Sequence, residues 1–107
     1  MNPQFFDELN LQNNSRTVRA GGPCNWADDD AWAEIWDVRV EQNRVVGSCG
    51  TALTRVYKGQ DDEWWLDARS SSQFTRGPAL GSAVAVVHKT NGTVEAPYSW
   101  PHDVQLH

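Results

Sequence analysis

Asn91-Gly92, set between two runs of strand-forming residues, is the feature that most limits what this chain can become. Asn-Gly is the preferred pair for a two-residue type I′ turn, which joins two antiparallel strands in a fixed register. With Thr90 opposite Thr93, Val87 faces Ala96, Ala85 faces Tyr98 and Ala83 faces Trp100. These residues and Val94 share one face, which is expected to be core. The other face carries Val84, Val86, His88, Glu95, Pro97 and Ser99, with His88 directly opposite Glu95 and within cross-strand reach.

The segments before this hairpin read the same way. Over residues 31–41, Trp32, Trp36, Val38 and Val40 share one parity while Asp37, Arg39 and Glu41 share the other, the pattern of a half-buried strand. Gln42-Asn43-Arg44 is a turn, and residues 45–57 return as a second strand with Gly47 and Gly50 at a bulge or a close contact. Residues 58–62 form a polar turn, residues 63–69 a third, short strand, and the Ser-rich residues 70–78 a loop expected to move. No helical pattern is long enough for a parallel crossover. The expectation is a mainly β fold, a small antiparallel sandwich or barrel of about five strands.

Ahead of the strands, Asn2-Pro3 followed by Phe5, Phe6 and Leu9 predicts a short N-capped helix. Residues 11–24 are polar and contain Asn13-Asn14-Ser15 and Gly21-Gly22-Pro23, so they read as an irregular arm. The 107 residues are expected to form a single domain, with residues 1–24 as helix and arm and residues 25–107 as the β body.

Nine basic against fourteen acidic residues give a net charge of -5, and the basic ones are scattered. Nucleic acid and anionic membrane surfaces are therefore not expected partners, because both need concentrated Lys and Arg. The longest apolar stretch, residues 83–87, is far too short to span a bilayer, and MNPQFFDELN lacks the regions of a signal peptide. A cytoplasmic protein, or a secreted mature domain without its signal, is expected, with no cofactor.

Several groupings have the residue types for chemistry. Gly47-Ser48-Cys49-Gly50 resembles the G-x-C-G nucleophile loop of viral chymotrypsin-like cysteine proteases, where backbone amides around the Cys form an oxyanion hole. The resemblance covers four residues and departs from that family's order: His88, His102 and His107 all follow Cys49, and the chain has length for one barrel rather than two. A glycine-bulged strand is the simpler reading. His88 with Glu95 has the form of a base oriented by a carboxylate, as a small hydrolase would use, and also that of an ordinary exposed ion pair. Asp28-Asp29-Asp30 and Asp61-Asp62-Glu63 are loop carboxylates that suit either a weak Ca²⁺ site or solvated turns, without EF-hand spacing. Cys24 and Cys49 are either two reduced thiols or a disulfide closing a loop of about 25 residues.

Six tryptophans outnumber the tyrosines and phenylalanines together, and parity sorts them. Trp32 and Trp36 fall on the face of Val38 and Val40, and Trp100 on that of Val87 and Tyr98, so these three are expected in the core. Trp64 and Trp65 are adjacent in a strand and must point to opposite faces; Leu66 shares parity with Trp64, which sends Trp65 outward. Trp26, beside the Asp28 to Asp30 loop, is expected to be exposed. Exposed indoles invite association. The expectation is a non-enzymatic binding domain using Trp26, Trp65 and Trp64, its ligand a carbohydrate or small molecule, with a homodimer or protein-partner module as the alternative.

Overall fold

The computed structural model describes residues 8–12, 15–95 and 98–107, with side chains over 15–95 and 103–107. Among the described residues eight strands, rather than about five, form one antiparallel sheet: β1 (Glu8–Gln12), β2 (Thr17–Pro23), β3 (Asp30–Gln42), β4 (Val45–Ser48), β5 (Leu53–Tyr57), β6 (Glu63–Arg69), β7 (Gly77–Lys89) and β8 (Tyr98–Leu106). Their order is β1-β2-β6-β4-β3-β7-β8, with β5 beside β4 on the same edge of β3. The sheet curls into an open half-barrel around a core that includes Val18, Ile35, Val40, Trp64, Phe74, Val87 and Leu106. The mainly β expectation holds, with the curled sheet in place of a closed barrel or two-layer sandwich.

The N-terminal expectations need correction. No helix is present among the described residues, and Leu9, the last apolar position of the expected helix, lies in β1; residues 1–7 fall outside the described residues. Most of the expected irregular arm is strand, because β2 pairs with β6 over its whole length, from Thr17 opposite Arg69 to Pro23 opposite Glu63. Val18 and Ala20 alternate with Arg19, a short period-two pattern that Gly21-Gly22 cuts off. Gly21 is required where it stands: a Cβ there would come within 2.4 Å of the Trp64 carbonyl oxygen.

The larger correction concerns β3, where the core-facing parity changes midway. Ala33 and Ile35 are buried, and beyond them Val38, Val40 and Gln42 are. Between them the register against β7 jumps from Trp36 opposite Val84 to Arg39 opposite Ser82, and Asp37 takes φ of 52°. This β-bulge adds one residue, so side chains that share parity in sequence point to opposite faces across it. Trp32 and Trp36 accordingly lie on the outer face, half-buried. Cys49 stabilises the bulge: its amide donates to the Val38 carbonyl (3.0 Å), its Sγ accepts from the Val38 amide (3.1 Å) and donates to the Ala52 carbonyl (3.6 Å).

Two turns exchange the conformations their sequences suggest. Asn43 and Arg44 both have positive φ, 47° and 70°, and join Gln42 to its partner Val45 as a two-residue type I′ hairpin. At Asn91-Gly92 only Gly92 has positive φ. The Gly92 amide bonds to the Lys89 carbonyl and the Lys89 amide to the Thr93 carbonyl, making a three-residue loop with a glycine bulge. Farther along the hairpin the expected register is present, with Ala85 opposite Tyr98 and Ala83 opposite Trp100. Near the tip it is displaced by one residue, so His88 pairs with Val94, which is exposed, rather than with Glu95.

The loop at 70–76 is pinned rather than loose. Phe74 is buried and its amide donates to the Ser15 carbonyl, while buried Gln42 donates to the Thr75 and Pro78 carbonyls and accepts from the Thr75 amide. Gly47 leaves room for the Phe74 ring, since a Cβ there would sit 3.0 Å from its Cζ.

Candidate functional site

Trp65 stands on the outer face of β6 with 55% of its surface exposed, while its neighbour Trp64 retains 2% and enters the core. Unbroken alternation along β6 causes this: Trp64, Leu66 and Ala68 turn in, and Glu63, Trp65 and Asp67 turn out. Across the β2–β6 ladder Trp65 faces Gly21 and Asp67 faces Arg19. The Arg19 guanidinium forms a two-pronged ion pair with Asp67, Nε to Oδ1 at 3.0 Å and Nη2 to Oδ2 at 3.2 Å, and lies over the Trp65 ring 4.0 Å from its centroid. Asp67 holds the Arg19 proton more tightly than in a free side chain, chiefly through that hydrogen bond. The indole is thus fixed in place by its neighbours without being buried.

Beside the ring is an open hollow of about 220 Å³ lined by Arg19, Gly21, Gly22, Pro23, Glu63, Trp64 and Trp65. Two glycines keep its floor free of side chains. The exposed Glu63 supplies a hydrogen-bond acceptor, and Pro23 a rigid apolar wall.

The other described tryptophans offer less. Trp26 is half-buried against the core, and its indole N–H donates to the Asp61 carbonyl at 2.9 Å, which ties the loop before β3 to the loop before β6; it is not the exposed ring expected. Trp32 lies between two rings, His88 on β7 stacked at 3.7 Å and nearly parallel (3°), and Tyr57 on β5 at 5.8 Å. Among the described residues it thus has an aromatic neighbour on each side, one on β5 and one on β7. Trp36 lines a second hollow of about 220 Å³ with Glu34, Gly50, Thr51, Ala52 and Leu53. The Trp100 side chain lies outside the described residues, as does that of His102.

The remaining candidate groupings come apart. Glu95 binds Lys89 (2.9 Å), whereas the carboxylate nearest His88 is Glu34, 3.9 Å from its Nε2. Nε2 is buried without a hydrogen-bond partner among the described residues, so the base and carboxylate of a hydrolase are not assembled. Cys49 is bonded beside Val38, and His88 lies beside Trp32, about 20 Å away along β3 at about 3.3 Å per residue. The G-x-C-G segment is a bulge clamp and turn rather than a nucleophile loop, with Gly50 at φ of 63°.

The acidic loops meet, but cations of the protein itself take their oxygens. Lys58 Nζ donates to the carbonyls of Ala27 (2.7 Å) and Asp28 (2.8 Å), Lys89 Nζ donates to Asp29 (3.1 Å) and Asp30 (2.6 Å), and Asp61 accepts from the Tyr57 amide. Asp30 is 1% exposed. Burial pushes its carboxyl upward, but hydrogen bonds, including those from Lys89 and the Ala27 amide, outweigh this and hold it at about 2. Among the described residues no three or more His, Cys, Asp or Glu side chains gather as a metal site, and the Asp62 carbonyl accepts from the Cys24 amide. Cys24 and Cys49 are free thiols. Cys24 is buried, and that burial, with Asp61, Asp62 and Glu63 nearby, pushes its thiol up to about 11. Each sulfur sits in its own packing environment, the first against the core and the second at the bulge, so no bridge joins them.

Sequence reasoning missed Arg19, Gly21, Gly22, Pro23 and Asp67 at the Trp65 site because all but Asp67 lie in what reads as the irregular arm. The alternation of Val18, Arg19 and Ala20 was the available signal. No family model, curated protein or solved structure matches the chain.

Proposed function

We propose that this protein is a binding domain whose ligand, a carbohydrate or another small polar molecule, sits in the hollow against Trp65. The observation that carries this reading is the exposed Trp65 ring, held by the Arg19–Asp67 pair at the edge of a glycine-floored hollow. A ring already fixed before binding loses little freedom when a ligand arrives, so its contact area goes further toward affinity. The hollow is smaller than the pocket of a drug-sized ligand, which suits one sugar ring or one unit of a longer chain. Tryptophan fluorescence titrations against saccharides and metabolites, repeated on Trp65→Ala, test it. A response that disappears in the variant supports the reading, and an unchanged spectrum across the panel at millimolar concentrations counts against it.

A second reading, association with another protein or a second copy, is favoured by the exposed Leu53 and Tyr57 on β5: Leu53 lines the second hollow with Trp36, and Tyr57 stacks on Trp32. Light scattering on Leu53→Glu tests that reading: a dimer lost in the variant supports it, and a monomeric parent at high concentration removes self-association.

A further inference from the structure

We infer that the ligand class of the Trp65 hollow is an uncharged pyranoside with equatorial ring substituents, such as a gluco- or xylo-configured oligosaccharide. This rests on the reading of Trp65 as a binding site and goes beyond it by excluding charged ligands. Anions are disfavoured because Arg19, the one cation among the described residues lining the hollow, has its charge offset by Asp67 through Nε and Nη2, Glu63 adds an exposed carboxylate to the rim, and the chain carries a net charge of -5. A cationic ligand meets the opposite problem. The Arg19 guanidinium already uses the electron-rich ring of Trp65 at 4.0 Å, so a second cation on that indole would be placed close to the first.

An uncharged sugar fits what remains. A pyranose with equatorial hydroxyls turns a flat surface of C–H groups to an aromatic ring, and an axial hydroxyl breaks that flatness. Gly21 and Gly22 bring no side chain into the hollow, so a flat ring lying against Trp65 meets backbone rather than side chains on that side. Glu63, two residues before Trp65 on the same face, accepts hydrogen bonds from a pair of neighbouring hydroxyls.

The test is a fluorescence and calorimetric comparison of cellotetraose with mannotetraose, oligogalacturonate and choline on the full chain. The expected result is that cellotetraose binds most tightly and that its affinity is insensitive to salt. Trp65→Ala should weaken it about thirtyfold or more, Trp65→Phe less, and Glu63→Gln about fivefold. Tighter binding of mannotetraose, oligogalacturonate or choline that still depends on Trp65 would overturn the ligand class and leave the site standing. Binding indifferent to Trp65, or no response to any of the four, would overturn the site itself.

Discussion

β6 and β3 each carry two tryptophans, and the same alternation rule describes one strand and misdescribes the other. On β6 the ladder with β2 runs unbroken from Glu63 to Arg69, so each step reverses the face, and Trp64 and Trp65 part as their parity requires. On β3 an extra residue at Asp37 lets Val38, Val40 and Gln42 enter the core on one parity while Ala33 and Ile35 enter on the other. Trp32 and Trp36 are carried outward by that residue. Period two is thus a property of each unbulged segment and does not pass through a residue in the left-handed region. The two strands also treat their outer indoles differently: Trp32 is stacked between His88 and Tyr57, whereas Trp65 is backed by an arginine and otherwise open.

The largest expected effect separates the neighbours on β6. Trp64→Ala should cost about 4 kcal/mol of unfolding free energy by emptying the core, whereas Trp65→Ala should cost about 1 kcal/mol or less. Urea denaturation compares them directly, and equal losses would break the assignment of faces.

At the start of β3, Asp30→Asn should cost about 3 kcal/mol, because it disrupts a buried ion pair with Lys89. The pH dependence has a definite sign. The Asp30 carboxyl is held at about 2 in the folded protein, below its unfolded value of about 3.9. Its stabilisation is therefore present above about pH 4 and is lost as the pH falls toward 2. Thermal melts between pH 7 and 2 should show this acid limb in the parent and a flatter one in Asp30→Asn.

Asp37→Val places a β-branched residue at φ of 52° and should cost about 2 kcal/mol, while Asp37→Gly should be neutral or stabilising. A valine variant as stable as the parent would mean that the bulge is not where the register jump puts it. The smallest effect is at the hairpin that follows β3. Arg44→Gly relieves a positive φ of 70° in the type I′ turn and should raise stability by about 1 kcal/mol in thermal or urea melts.

What the sequence made legible follows the same division. The strand at Glu63–Arg69, the faces of Trp64 and Trp65, and the register of β7 against β8 from Ala85 backwards follow from uninterrupted alternation. The bulge at Asp37 was hidden because it is created by a φ value and by the Cys49 thiol satisfying the Val38 amide, neither of which leaves a local sequence mark. The hairpin tip departs from its local sequence preference for a related reason. Lys89 reaches across to Asp29 and Asp30, and the Thr90 amide bonds to the Asp29 carbonyl, contacts sixty residues apart that accompany the three-residue loop where Asn-Gly alone prefers two. At the candidate site the outward indole was readable, but Arg19, which orients it, was not, because Gly21-Gly22 ends the alternation of β2 after Ala20.

The most direct test is ¹⁹F NMR of the protein labelled with 5-fluorotryptophan, each resonance assigned by single Trp→Phe substitution, with a soluble paramagnetic quencher and then with cellotetraose. The expected outcome is strong broadening of the Trp65 resonance by the quencher, none of Trp64, and a ligand-induced shift centred on Trp65. Equal broadening of Trp64 and Trp65, or a ligand shift at Trp32 or Trp36 with Trp65 unmoved, would contradict the placement of the site on β6.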